Sequence, residues 1–361
     1  MFMMIMIAAF LLMLAGSVYV VFHFHRFSFV KKIGEKNKTL GWLLSCLPVA
    51  LCFLFFFVNL YAVVIAGIHL ILIWMLSDAV GWLIKKISRR SFSHYPAGVF
   101  ALVFTVLYLA VGWFNAHHVF QTDYSFTTEK KLGSLRVAQI ADSHLGITLS
   151  GEDFAREMAR VQETDPDLVV IVGDFVDDDT EKEDMLRACR ALGEMKTTYG
   201  VFFTYGNHDK GYFQYRNFTT AELDEALEEN GVVILEDESV LLGDRFYLVG
   251  RQDKTERERL SAAKLTEGLD PDKYVIMLDH QPNDYEGEKG TADLVLSGHT
   301  HGGHIFPAGI IGTVSGVNDR TYGTEARDGT TFVVTSGISG WGIPFKTFCI
   351  SEYVVIDVQG K

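Results

Sequence analysis

The chain has 361 residues, 48% of them hydrophobic, and a formal net charge of −13. The charge is unevenly spread: residues 1–120 hold nine Lys/Arg against two Asp/Glu, and the remainder holds 23 against 43. So acidic a second part lacks the basic surface that nucleic-acid binding needs and excludes that class of partner, while its roughly 240 residues suffice for one large α/β domain.

Residues 1–22 are apolar and uncharged. No basic segment precedes them and no clean small-residue cleavage site ends them, so they read as a retained anchor. Residues 41–84 make an apolar stretch of about two span lengths, at roughly 20 residues per span. A split near Asn59–Gly67 gives spans at 41–60 and 66–84. Pro96 opens a fourth span at 97–115. Residues 1–120 are therefore expected to be a transmembrane region of four helices.

Orientation follows from the basic loops. The first holds Arg26, Lys31, Lys32, Lys36 and Lys38; the third holds Lys85, Lys86, Arg89 and Arg90; the short second loop has no charge. Basic loops belong inside, and four spans return the chain to its starting side. The expectation is an integral plasma-membrane protein with an extracytoplasmic second part. Asn59 and His69 are expected to flank the outer turn. Asp78 lies deeper, and its expected role is structural, through a neighbouring helix or Lys85.

Residues 121–132 read as a linker and 133–361 as a single domain. Residues 135–141 predict a strand ended by Asp142. Ser150 and Asp153 start a helix running to about Gln162. An apolar strand at 168–172 ends at Gly173-Asp174. A helix follows at 181–195, then a strand at 201–205 ended by Gly206-Asn207. Thr219 and Glu222 open another helix, which Gly231 stops. Strands are expected at 232–235, 239–242, 245–249, 274–279 and 293–297, with a charged helix near 255–266. The alternation argues α/β, and the strand-rich second half suggests a second sheet packed on the first.

Every histidine after residue 120 falls in a short polar motif, and these motifs end strand-like runs. They are Asp142-Ser143-His144, Gly173-Asp174-Phe175-Val176-Asp177, Gly206-Asn207-His208-Asp209, Asp279-His280 and Gly298-His299-Thr300-His301-Gly302-Gly303-His304. Open α/β sheets place sites at the C-terminal ends of strands. Asp, Asn and His are oxygen and nitrogen donors suited to divalent metals. Two such ions, roughly 3.5–4 Å apart, acidify water and clamp a phosphoryl group. Asp142 and His144 can face one ion; Asp174 can bridge; Asn207 offers a carbonyl oxygen; His280, His299 and His301 complete the shells. His208 points away from the ligand direction of Asn207 and is free to act as a proton donor, with Asp209 to orient it. No CxxC occurs, so a thiolate site is not expected, and Cys189 and Cys349 read as free thiols rather than a disulfide.

The ordered set D-x-H, G-D-x-x-D, G-N-H-D, H, G-H-T-H-G-G resembles the calcineurin-like metallophosphoesterase family over about residues 133–358. The resemblance implies a four-layer α/β/β/α sandwich and two divalent ions, usually Mn, Fe or Zn. It implies that Asp142, His144, Asp174 and His301 hold one ion, that Asp174, Asn207, His280 and His299 hold the other, and that His208 protonates the leaving group with Asp209 behind it. Gly298–Gly303 and the Ser336–Pro344 segment resemble a membrane-associated bacterial group. That group includes UDP-diacylglucosamine hydrolases and, in animals, a transmembrane protein with a metallophosphoesterase domain. Two departures stand out: His304 replaces the group's frequent Gln, and Phe345-Lys346 follows Gly-Ile-Pro.

Substrate contacts are expected from His304, Arg216 and Lys346, with aromatic residues of 211–218 and 341–348 around the mouth. The expected activity is hydrolysis of a phosphomonoester, phosphodiester or pyrophosphate bond, on a lipid-linked or membrane-proximal substrate. Two readings compete with it. One is a cytoplasmic UDP-diacylglucosamine-type pyrophosphatase, which needs the opposite sidedness. The other is a non-catalytic metal-dependent binding or sensor module, which has no use for a proton donor at His208.

Overall fold

The computed structural model describes residues 2–89, 94–211 and 216–361. Arg90 of the third loop, and Tyr212, Phe213, Gln214 and Tyr215 of the expected mouth, lie outside the described residues. The chain divides into two compact units, Met1–Gly112 and Trp113–Lys361.

The first unit is helical. Its elements are α1 (Phe2–Phe24), α2 (Ser28–Lys36), α3 (Lys38–Ser45), α4 (Leu47–Cys52), a 3-10 turn (Phe53–Phe57) and α5 (Leu60–Ser88), with α6 (Pro96–His117) leading out of it. Among the described residues, four segments are long and apolar enough to cross a membrane: Ile7–Phe24, Lys38–Phe57, Leu60–Ser88 and Pro96–His117. Leu12, Phe56, Phe57 and Leu76 are among the large apolar side chains that stay exposed, as expected where lipid is the solvent.

Three expectations for this unit need correction. The second span is a series of short helices, not one continuous helix. The break before the third span is narrower than 59–67: Asn59 caps α5 by accepting the Ala62 N–H at 2.8 Å. Gly67 is therefore inside α5, where a Cβ would lie 2.5 Å from Met13 Sδ of α1. Small residues of this kind let helices approach closely. His69 is buried within α5, its Nδ1 2.8 Å from the Ile65 carbonyl. Asp78 is held by Tyr19 Oη at 2.6 Å and Tyr95 Oη at 2.5 Å, with His23 Nε2 at 3.5 Å. Its partners are thus α1 and the segment before α6, so of the two expected kinds of partner it takes the neighbouring helix rather than Lys85. The two tyrosines hydrogen-bond both carboxylate oxygens.

The second unit is the α/β domain. Its elements are β1 (Val119–Thr127), β2 (Ser134–Ile140), α7 (Gly151–Gln162), β3 (Leu168–Val172), α8 (Lys182–Gly193), β4 (Val201–Thr204), α9 (Thr220–Glu229), β5 (Val232–Ile234), β6 (Glu238–Leu242) and β7 (Phe246–Gly250). They are followed by α10 (Ala262–Leu265), β8 (Tyr274–Leu278), α11 (Tyr285–Glu288), β9 (Leu294–Ser297), a 3-10 turn (His301–Gly303), α12 (Ala308–Val314), β10 (Gly323–Arg327), β11 (Thr330–Val334) and β12 (Ser351–Gln359). Capping boxes at Ser150 and Thr219 start α7 and α9, as their Ser/Thr-x-x-Asp/Glu spacing dictates.

Two six-stranded mixed sheets form, ordered β1-β12-β2-β3-β4-β5 and β10-β11-β9-β8-β7-β6. Strand side chains alternate between faces, and the buried residues sort accordingly. Val137, Val170, Ile276, Leu296 and Ile356 fill the space between the sheets. Ala138, Ile171 and Phe203 face outward onto Phe154, Met158, Leu192 and Leu223 of α7–α9. Met277, Val295 and Phe332 pack on Ala262, Leu265 and Tyr285 on the far side. The result is the expected four-layer α/β/β/α sandwich.

The expected linker at 121–132 is corrected. Its first half belongs to β1, which pairs in parallel with β12 from Val119↔Ser351 to Thr127↔Gln359. Phe120, Thr122, Tyr124 and Phe126 are half-buried and the residues between them exposed, so the period is that of an edge strand. The charged helix at 255–266 shrinks to α10. Asp253 closes a local turn by accepting the Thr255 N–H at 2.9 Å, and the helix starts only where Ser261 caps it through Lys264 N.

Candidate metal centre

The parallel strands β2, β3 and β4 of one sheet and β8 and β9 of the other all end at one edge of the sandwich. The polar motifs leave from those ends. The Asp142 and His144 N–H groups donate to the carbonyls of Gly173 and Asp174, each at 3.0 Å, so the first two loops are tied together. Asp142, His144, Asp174, His299 and His301 all have positive φ, from 36° to 68°. Non-glycine residues rarely adopt this region, and strain of this kind persists where surrounding structure holds it. Gly173 is forced by space as well: a Cβ there would sit 2.5 Å from His280 Nδ1.

Two groups of donor atoms come together, Asp142/His144/His301 and Asp174/His280/His299, each with ligand atoms within 4.8 Å of one another. Asp174 lies between them. Its Oδ2 is 3.6 Å from His144 Nε2 and 3.1 Å from His280 Nε2, while its Oδ1 accepts the His208 N–H at 2.8 Å. Asp142 receives the His299 N–H on both oxygens, at 2.9 and 3.0 Å. Asn207 follows Gly206 on the β4 loop with its side-chain oxygen buried.

The imidazoles are fixed in one tautomer by their other nitrogens. His144 Nδ1 faces Asp177 Oδ2 at 2.9 Å, His280 Nδ1 faces the Val172 carbonyl at 2.9 Å, and His301 Nδ1 faces the Ser339 carbonyl at 3.3 Å. All three partners are acceptors, so each Nδ1 carries the proton and each Nε2 presents a lone pair. The Nε2 atoms of His144 and His301 are only 3.1 Å apart. Two facing lone pairs at that distance call for a cation between them. The donor set thus fits divalent metal ions: carboxylates, an amide oxygen and neutral imidazoles.

Electrostatics agree. Burial holds His299 down to about 4, and burial together with His144 holds His301 well below the ordinary imidazole range. Burial pushes Asp142 up to about 6. For His280, burial is outweighed by the Asp174 carboxylate, which raises it well above the usual value.

His144, Asp177 and His208 form a further close group. Here the Nδ1 atoms of both histidines face Asp177 oxygens, at 2.9 and 3.2 Å, so it reads as a proton-sharing trio rather than a cation site. This corrects the expected role of Asp209. Its two oxygens are occupied by four backbone N–H groups, those of Asp174, Phe175, Val176 and Gly206. Asp209 ties the β3 and β4 loops together, and Asp177 is the carboxylate behind His208. The Gly-Asp-x-x-Asp motif contained Asp177; only the path of its loop reveals the contact. Burial would depress His208, and the hydrogen bond to Asp177 outweighs it, so the net shift is upward.

The three residues expected to contact substrate sit in different surroundings. Lys346 is fully buried, and its Nζ donates to the carbonyls of Ser336, Gly337 and Ile350 at 2.7, 3.0 and 3.2 Å. It is a brace for the 336–350 loop, because its three N–H groups match three converging carbonyls. Arg216 donates to the Asp209 carbonyl at 2.6 Å and to Thr220 Oγ1 at 3.0 Å, and lies over the Phe218 ring. His304 stacks on His301 with ring centroids 5.4 Å apart and contacts the Ile343 carbonyl through Nε2 at 3.1 Å. Trp341 lies beside His208, ring centroids 5.3 Å apart. All four cysteines are free.

The sequence motifs also gave no hint of the ionic support beneath His280. Arg251 is almost fully buried and donates to Asp279 at 2.9 Å, Glu288 at 2.8 Å and Asp284 at 3.0 Å, and Arg259 also reaches Asp279.

A family model described as calcineurin-like phosphoesterase matches residues 135–303. The chain is 31% identical over 237 residues to an uncharacterized metallophosphoesterase of Campylobacter jejuni, a match covering 63% of this chain and 60% of that one. It is 30% identical over 253 residues to an uncharacterized metallophosphoesterase of Aquifex aeolicus, covering 66% and 91%. It is 28% identical over 323 residues to a Danio rerio protein named transmembrane protein with metallophosphoesterase domain, covering 81% and 72%. The chain thus spans about three fifths of the Campylobacter relative's length and most of the other two.

Proposed function

We propose that this chain, which belongs to the calcineurin-like phosphoesterase family, is a metal-dependent phosphohydrolase that is anchored in a membrane and cleaves a lipid-linked phosphoester or pyrophosphate. The observation that carries the reading is the placement of Asp174 Oδ2 between two groups of donors whose Nε2 lone pairs are set by hydrogen bonds behind them.

In this reading Asp142, His144, Asp174 and His301 hold one divalent ion, and Asp174, Asn207, His280 and His299 hold the other. Such a pair, when bound, supplies Lewis-acid polarisation of the phosphoryl oxygens and acidified water. The protein's own groups do the rest. Asp177 accepts from His144 Nδ1 and His208 Nδ1 and so orients a ligand and a proton donor together. As the bond from phosphorus to the leaving oxygen breaks, His208 Nε2–H gives that oxygen its proton. Trp341 lies beside His208, on the loop that Lys346 braces.

The membrane side of the proposal rests on four segments long and apolar enough to span and on likeness to a protein named as transmembrane. The basic residues Arg26, Lys31, Lys32, Lys36, Lys38, Lys85, Lys86 and Arg89 lie at or near the ends of the spans, and by the positive-inside rule they favour a catalytic domain on the outside. A binding or sensor module is disfavoured by His208, whose Asp177 partner suits proton transfer. The test is hydrolysis by Mn-loaded full-length protein in detergent, with a monoester, a diester, a nucleotide-linked lipid and a lipid pyrophosphate. Turnover of a lipid substrate that His208→Ala abolishes supports the proposal. Turnover of the water-soluble esters alone counts against a lipid-linked substrate.

A further inference from the structure

The domain holds 66 charged residues in residues 121–361, yet residues 294–318 contain no Asp, Glu, Lys or Arg. The second half of that run leaves the metal-binding loop and forms α12 and its flanks. It presents Phe306, Ile310, Val314 and Val317 to solvent, exposed by 49%, 46%, 82% and 64%. Phe348, 45% exposed, lies against Phe306 with ring centroids 6.0 Å apart. Soluble surfaces rarely gather large apolar side chains in this way without a partner.

The patch is joined directly to the site. A Cβ on Gly303 would lie 2.5 Å from Gly309 Cα, so α12 packs on the backbone of the Gly-His-Thr-His-Gly-Gly loop. The His304 carbonyl accepts the Thr347 and Phe348 N–H groups at 3.0 and 3.3 Å, and the His304 ring stacks on His301. A ligand whose phosphorus sits among the metal ligands therefore has an apolar surface within the same loop system for whatever the phosphate carries.

We infer that the 305–317 segment with Phe348 seats the acyl chain of the substrate. The inference rests on the phosphohydrolase reading above and gives that site its substrate class. An acyl chain fits because residues 294–318 carry no charged side chain to pair with a nucleotide or a charged peptide, while Phe306, Ile310, Val314 and Val317 offer apolar area for burial. The four spans of the same chain keep the domain tethered beside lipid, where acyl chains are at high effective concentration.

The experiment uses the Mn-loaded full-length chain at fixed detergent. Dihexanoyl and dipalmitoyl phosphatidic acid compete with hydrolysis of a soluble aryl phosphate ester. The dipalmitoyl form is expected to inhibit at about tenfold lower concentration, by apolar burial of its longer chains. In a Val314→Asp, Val317→Asp double variant that advantage is expected to vanish; an advantage that persists overturns the inference. Val314→Trp gives a second readout, independent of turnover. Its added fluorescence should be quenched by phosphatidic acid brominated on its chains. If no ester is hydrolysed at all, the phosphohydrolase reading fails and quenching alone decides the seat: quenching sustains it, and none overturns it. A halving of molar mass in the double variant would show that a second copy covers the patch, which also overturns the inference.

Discussion

Asp177→Asn keeps the volume of the side chain and removes the negative charge that faces both His144 Nδ1 and His208 Nδ1. Carboxylates behind ligating imidazoles typically account for 10- to 100-fold in metal affinity or activity. Asp177→Asn is therefore expected to lose about tenfold or more in metal affinity, read by titration of the metal-free protein; unchanged affinity would mean that Asp177 does not support His144 as a ligand. Asp209→Ala should behave differently. It leaves four backbone N–H groups without their acceptor, at about 1–3 kcal/mol each when buried, and is expected to lose the folded domain. A folded Asp209→Ala protein that binds metal and fails only on poor leaving groups would return Asp209 to its place behind His208. Lys346→Met strands three carbonyls in the same way. A loss of about 3 kcal/mol or more is expected, visible as a lowered thermal midpoint; a midpoint equal to wild type would return Lys346 to the group of substrate contacts.

Among the elements, β1 carries the sharpest test. It pairs with β12 over nine residues, and Tyr124 and Phe126 pack on the core between the sheets. A chain beginning at residue 133 is expected to aggregate or unfold without a cooperative transition, while one beginning at 118 folds. Equal stability of the two would make β1 dispensable. This strand was not legible in sequence because its partner lies more than 200 positions away and its exposed edge alternates Gln, Asp and Ser with half-buried side chains. By contrast β2, β3, β4, β8 and β9 could be read directly, since each is an apolar run stopped by a polar motif. That same arrangement made the candidate metal ligands legible as a set that the structure brings together. Contacts between loops were not: whether Asp177 or Asp209 backs His208, or where Lys346 points, depends on loop paths that spacing does not determine. Asp78 shows the same limit in the helical unit, where its partners come from α1 and the segment before α6.

At the scale of the whole molecule, two halves of opposite charge balance serve one proposal. The basic loops set the proposed sidedness and the acidic domain holds the proposed catalytic site. A tag at the N-terminus is expected to be reachable from outside intact cells, because four spans put it on the same side as the domain; protection of the tag would move the catalytic domain inside and restore the cytoplasmic pyrophosphatase reading. The measurement closest to the centre of the account is metal content per chain, by mass spectrometry of the elements, in wild type, Asp174→Asn and His208→Ala. The account predicts two ions in wild type, two in His208→Ala, and one or none in Asp174→Asn, because Asp174 is the residue that joins the two donor groups. Two ions retained in Asp174→Asn, or a loss of metal in His208→Ala, would contradict it.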